Sequence, residues 1–99
     1  MSFVRVQPEV LAAATDDLRS IGSAVSAGNA TAATPTLGVA PPAADAVSAL
    51  TAARFAAQAQ LYQAISAQAA AIHEQFVSTL GVSAGSYATT EAANAVVTR

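Results

Sequence analysis

The stretch that decides the fold is residues 45–80, DAVSALTAARFAAQAQLYQAISAQAAAIHEQFVSTL. It holds no Gly and no Pro, and a third of it is alanine, the strongest helix former. At about 100° per residue, Val47, Leu50, Phe55, Leu61, Tyr62, Ile65, Ile72, Phe76 and Leu80 fall in one stripe roughly 140° wide. The opposite side carries Ala49, Ala56, Gln60, Gln63, Ala67 and Glu74. A helix over these residues would run about 54 Å at ~1.5 Å per residue, longer than one ordinary domain core needs. A one-sided helix of that length needs something long to lie against, and the remaining sequence supplies part of it.

Towards the N-terminus, Thr36 to Ala44 contains Gly38 and the Pro41-Pro42 pair, which reads as a turn. Asp45 then offers a carboxylate to the first free N–H groups of the helix that follows. Before the turn, Leu11, Ala14, Leu18, Ile21, Val25 and Ala32 recur mostly at three-, four- and seven-residue steps, the pattern of a second amphipathic helix. Pro8 suits its first position, and Glu9 places a negative charge at the positive end of its dipole. Gly22 and Gly28 interrupt it, at about 1 kcal/mol each against alanine where exposed, or else permit close helix approach. Pro35 is expected to end or kink it near Ala33, with room for one further turn. A short connection between two long helices makes them antiparallel neighbours.

Past residue 80, Gly81 suits a helix terminus. The expected organisation is therefore a single domain over 1–99. It has an extended lead at 1–7, a helix over about 8–34, a turn over about 35–44, a second helix over about 45–80, and a flexible tail over 81–99. The class is all-α, an elongated antiparallel two-helix hairpin. Its few large side chains do not balance the conformational entropy of ordering two such helices, so a partner that supplies more helices is expected.

Composition narrows the function classes. The net charge is −2, there is no lysine, and the four arginines stand apart at positions 5, 19, 54 and 99. That distribution leaves no electrostatic footprint for nucleic acid or anionic lipid. With no cysteine, disulfides and Cys-ligated metals are excluded. No run approaches the ~20 consecutive apolar residues of a spanning helix. Met1-Ser2-Phe3-Val4-Arg5 opens no hydrophobic segment of the cleaved-signal type.

Residues that could carry chemistry are few. Gly81-Val82-Ser83-Ala84-Gly85 matches the G-x-S-x-G nucleophile elbow of α/β-hydrolases. That chemistry needs a strand before the serine, a helix after it, and an acid and then a histidine further on. Here a helix precedes Ser83 and no histidine follows it, so an esterase using Ser83 is a remote alternative. His73 is the sole histidine and sits at the edge of the stripe, so no His-based metal cluster can form, and no metal, cofactor or small-molecule substrate is expected. Asp16-Asp17 reads as a solvated face. Asn29 lies at the edge of the first helix's stripe. Arg54 falls near the middle of the apolar stripe with Gln58 one turn on, and two readings stand. Its stem packs while its head reaches water, or it makes a paired polar contact that sets register at a helical interface. Tyr87 and Glu91 are spaced i, i+4, on one face if the tail is helical.

Several features together resemble the PE family of mycobacteria. They are Met1-Ser2-Phe3-Val4, the Pro8-Glu9 pair, and Val39-Ala40-Pro41-Pro42-Ala43-Ala44-Asp45 with Val47-Ser48 after it. Phe55, His73-Glu74-Gln75-Phe76-Val77, and Ser86-Tyr87 with Glu91 complete the set. The resemblance covers essentially the whole chain, at the length of a bare PE domain, with Pro8 and Glu9 as the family signature. It lacks tryptophan and so has no Trp-x-Gly turn of the related WxG-type substrates.

The resemblance implies a non-enzymatic protein whose hairpin pairs with a PPE protein, completing an elongated four-helix-type bundle. Leu18, Ile21 and Val25 on the first helix, with Phe55, Leu61, Tyr62, Ile65, Ile72 and Phe76 on the second, would form the partner interface. It also implies export by a type VII (ESX) secretion system, with Tyr87 and Glu91 as the export motif and a chaperone gripping the PPE subunit. The expected location is secreted or at the cell envelope, without a cleaved signal peptide. Action at the envelope or host interface would follow, with an effect on small-solute permeability as the alternative.

Overall fold

A computed structural model describes residues 6–97. They form two helices, α1 (Pro8–Leu37) and α2 (Ala46–Val97), joined by the turn at 38–45. The expected all-α two-helix hairpin is what the chain adopts. Most of the lead over residues 1–7, and the last two residues of the tail, lie outside the described residues.

Local chemistry accounts for the helix ends. The Gln7 carbonyl accepts from the amides of Val10 and Leu11 as α1 begins, with Glu9 in the first turn. At the start of α2 the Asp45 carboxylate accepts from the Ser48 amide at 2.7 Å, the expected N-cap. These hydrogen bonds from Ser48 hold the Asp45 carboxyl below its ordinary value of 3.8.

Two boundaries differ from the sequence expectation. First, α1 does not stop near residue 34 but carries Pro35 inside it and ends at Leu37. Thr36 donates its hydroxyl to the Ala32 carbonyl at 2.6 Å, and the Gly38 amide reaches the Thr34 carbonyl at 3.0 Å. These bonds keep the last turn tied down past the missing proline N–H. Second, α2 does not end at residue 80 but runs through Gly81 and Gly85 to Val97, so the tail over 81–97 is helical. No glycine has a positive φ among the described residues, so Gly81 makes no left-handed cap. An alanine-rich continuation outweighs the ~1 kcal/mol that each helical glycine costs.

The chain divides into two compact units, one from its start to Gly22 with His73 onward, the other Ser23–Ile72. In each, a segment of α1 lies antiparallel to a segment of α2. In the second unit, Tyr62 donates its hydroxyl to Asn29 Oδ1 at 2.7 Å, and Gln63 Nε2 donates to the Asn29 carbonyl at 3.0 Å. In the first, His73 Nε2 donates to the Leu18 carbonyl at 2.8 Å, and Gly81 faces Thr15.

The main run of α2 residues withdrawn from water is Ser48, Ala52, Ala56, Ala59, Gln63, Ser66, Ala70, His73, Val77, Leu80 and Ala84, with Gly81, Ser83 and Glu91 also partly covered. The residues of the main run follow one another at steps of three and four residues, the spacing of a helix seam. On α1 the matching set is Leu11, Thr15, Leu18, Gly22, Asn29, Ala32 and Ala33. Most of these side chains are small. Thr15, at 4% exposure, meets its own polarity by donating to the Leu11 carbonyl at 2.9 Å, which leaves its methyl for Gly81. Among the described residues no buried side-chain N or O lacks a partner. The hairpin is closed mainly by small residues at short range, with Leu11, Leu18, Val77 and Leu80 as its larger apolar members.

Candidate functional site

Apart from Val77 and Leu80, the large apolar side chains along most of α2 point elsewhere. Val47, Leu50, Phe55, Leu61, Tyr62, Ile65, Ile72 and Phe76 are all exposed, Phe55 at 62% and Ile72 at 67%. At about 100° per residue the middle of this stripe lies roughly a third of a turn from the middle of the seam. The separation follows largely from the sequence: alanine, serine and glutamine fill most of the seam register, with His73, Val77 and Leu80 as its larger members, so Leu80 lies in the seam and not on the exposed stripe where the wheel placed it. Ala56 and Gln63, on the side of the wheel away from the stripe, are in the seam.

The residues expected at a partner interface therefore divide. Ile21 and Val25 on α1 are exposed at 55% and 56%, and so are Phe55, Leu61, Tyr62, Ile65, Ile72 and Phe76 on α2. Leu18 is half-buried in the hairpin itself, where its carbonyl accepts from His73. Tyr62 does both things, with an exposed ring and its hydroxyl on Asn29. Arg54 is exposed in mid-stripe, and among the described residues it has no ion pair or hydrogen bond within the hairpin.

His73 is better placed than a boundary residue. Its ring occupies the notch left by Gly22, where an added Cβ would come within 2.7 Å of Cδ2 and 2.8 Å of Nε2. The close approach anticipated for Gly22 is therefore made, and its occupant is a ring donating to Leu18. The pairing of these two positions escaped the sequence reading, along with the burial of Thr15, Val77 and Ala84. A three- and four-residue spacing of small residues along both helices was the available signal.

The remaining candidates change character. Ser83 is half-buried within α2, and its G-x-S-x-G run is continuous helix with no strand before it, so the elbow geometry is not formed. Asp16 pairs with Arg19 at 3.0 Å on the solvent side of α1, while Asp17 is exposed. Tyr87 and Glu91 share one face of α2, Tyr87 exposed and Glu91 half-buried. Pro8 and Glu9 stand in the first turn of α1. No group of metal-ligating side chains, and no helix long and apolar enough to cross a membrane, occurs among the described residues.

Large apolar residues of α2 are thus exposed on a register separate from the seam, whose residues are mostly small. Comparison with known proteins identifies the family. Residues 4–94 match the PE family. The chain is 67% identical over 95 residues to the PE family protein PE13 of Mycobacterium tuberculosis, covering 96% of each. It is 53% identical over 94 residues to the PE family protein PE8 of the same organism, across 95% of this chain and 34% of that one. With the uncharacterized PE-PGRS family protein PE_PGRS36 of Mycobacterium tuberculosis it shares 59% identity over 95 residues, spanning 96% of this chain and 19% of the longer one. From the Pro8–Glu9 pair that opens α1 to the end of the matched region, this chain belongs to the PE family of mycobacteria.

Proposed function

We propose that this chain is a non-enzymatic binding module whose exposed α2 face buries against the helical hairpin of a PPE protein. The pair would form a four-helix-type bundle exported by a type VII secretion system and acting at the cell envelope or host interface. One observation carries the reading: the hairpin closes through Ala52, Val77 and Ala84, while Phe55, Ile65, Ile72 and Phe76 remain in water. Exposed large apolar residues of this kind mark an interaction site, and helical ridges fit the grooves of another helix pair. Ser83, held inside a continuous helix, supports the absence of hydrolase chemistry.

The test is co-expression with PPE proteins, beginning with any encoded beside this chain, read by size-exclusion chromatography with light scattering. A 1:1 complex is expected with at least one of them, accompanied by a sharper and higher thermal transition than the chain shows alone. A helical chain that stays monomeric in the presence of every PPE protein would overturn the proposal.

A further inference from the structure

Arg54 is a cation in the middle of a face that is otherwise built to leave water. Its neighbours one turn and two turns away along the stripe are Leu50, Val47 and Leu61, all exposed. Nothing within the hairpin accepts its guanidinium, among the described residues. The carboxylates of α2 are out of its reach: Glu74 falls roughly half a turn away on the wheel and Glu91 lies about ten turns further along, while Asp45 caps the start of the helix. On α1, Asp16 is already paired with Arg19.

A helix laid on this stripe removes the guanidinium from water, and an unpaired buried charge costs more than neighbouring apolar contacts return. The planar fork of arginine is matched by a carboxylate, which it holds through two parallel hydrogen bonds. Resting on the reading under Proposed function, we infer that the partner helix covering this face carries an Asp or Glu opposite Arg54, with apolar residues one turn to either side. The Arg54–carboxylate pair fixes the register of the two hairpins and selects among partners with similar apolar faces. A partner lacking the acid at that level leaves the charge stranded, so selection works by penalty as much as by attraction.

The experiment uses the full chain co-expressed with a PPE protein that binds it. Arg54→Glu is expected to weaken that complex at least tenfold, and reversal of one partner Asp or Glu to Arg to restore it. Arg54→Leu is expected to bind more weakly than the wild type, while Arg54→Lys retains part of the affinity. Circular dichroism of each variant chain separates these effects from loss of helix. If Arg54→Leu binds as tightly as the wild type, or if no partner carboxylate restores Arg54→Glu, the inference is overturned while the heterodimer reading stands. If the wild type binds no PPE protein, the heterodimer reading falls and this one with it. A homodimer of the chain, held by Arg54 against Asp17 of a second copy and dissolved by Arg54→Glu, would also overturn it.

Discussion

At the scale of single residues, Gly22 and His73 show how a residue's cost in isolation is reversed by its surroundings. Glycine inside a helix loses about 1 kcal/mol to alanine, yet at position 22 a methyl group would stand 2.7 Å from the His73 ring. Gly22→Ala is therefore expected to destabilise the hairpin by about 1–3 kcal/mol, as overpacking does, and to break the bond from His73 to Leu18. Adding His73→Ala should recover part of the loss. Gly28 has nothing within 4 Å of an added Cβ, so Gly28→Ala should raise stability by about 0.5–1 kcal/mol. Thermal melts by circular dichroism distinguish the two glycines by sign. Asp45 gives a pH dependence. Its carboxyl is held below 3.8 by hydrogen bonds from Ser48, so its contribution is complete above the unfolded value and is lost as pH falls through the lower, folded one. Melts of Asp45→Ala and the wild type should differ at neutral pH and converge in strong acid. The Asp45 cap was legible because capping is local and needs only the next three residues. Which side chain fills the notch at Gly22 was not, because that neighbour is set by helix register and lies far along the chain.

At the scale of elements, α2 carries two registers on one cylinder. The wheel separates large side chains from small ones without saying which set closes on α1. Physical size decides it: alanine, serine and glycine let two helices approach closely, and Thr15 against Gly81 is such an approach. The stripe itself was legible from residue type and spacing. Its exposure was partly so, since the poor balance between the hairpin's few large side chains and the entropy of ordering two helices already called for a partner. The helix beyond Gly81 was missed because a glycine reads as a stop unless the sequence after it is weighed for helix-forming capacity. Two substitutions on the same helix should separate the registers. Ala52→Leu, at a position 8% exposed, forces a large side chain into the seam and should cost about 1–3 kcal/mol. Ile72→Asp, on the outer face, should change the melt of the chain by no more than about 0.5 kcal/mol, yet abolish pull-down of the PPE protein. Equal effects of the two on the melt would show that the faces are not independent.

At the scale of the whole molecule, the helical stretch carrying Tyr87 and Glu91 gives the proposed export motif a rigid platform. Both residues stand beyond Phe76, the last residue expected at the partner interface, so the bundle and the export step should be separable. Tyr87→Ala should leave the complex with the PPE protein intact and remove the pair from the culture filtrate. Normal filtrate levels of that variant would deny the motif its role. The family was legible from motifs spread over the chain, because Pro8 marks the start of α1, Pro41 and Pro42 the turn, and His73 and Phe76 the middle of α2. The identity of a partner was not, because the partner's half of the surface is written in another sequence. The two-register helix has a consequence for how such chains diverge. A lineage that keeps its alanines and glycines in step keeps its shape, whatever happens on the far side of the cylinder. On the proposed binding role, mutations there redraw whom the protein meets without first asking whether it still folds, so recognition and architecture drift as separate traits within a single helix.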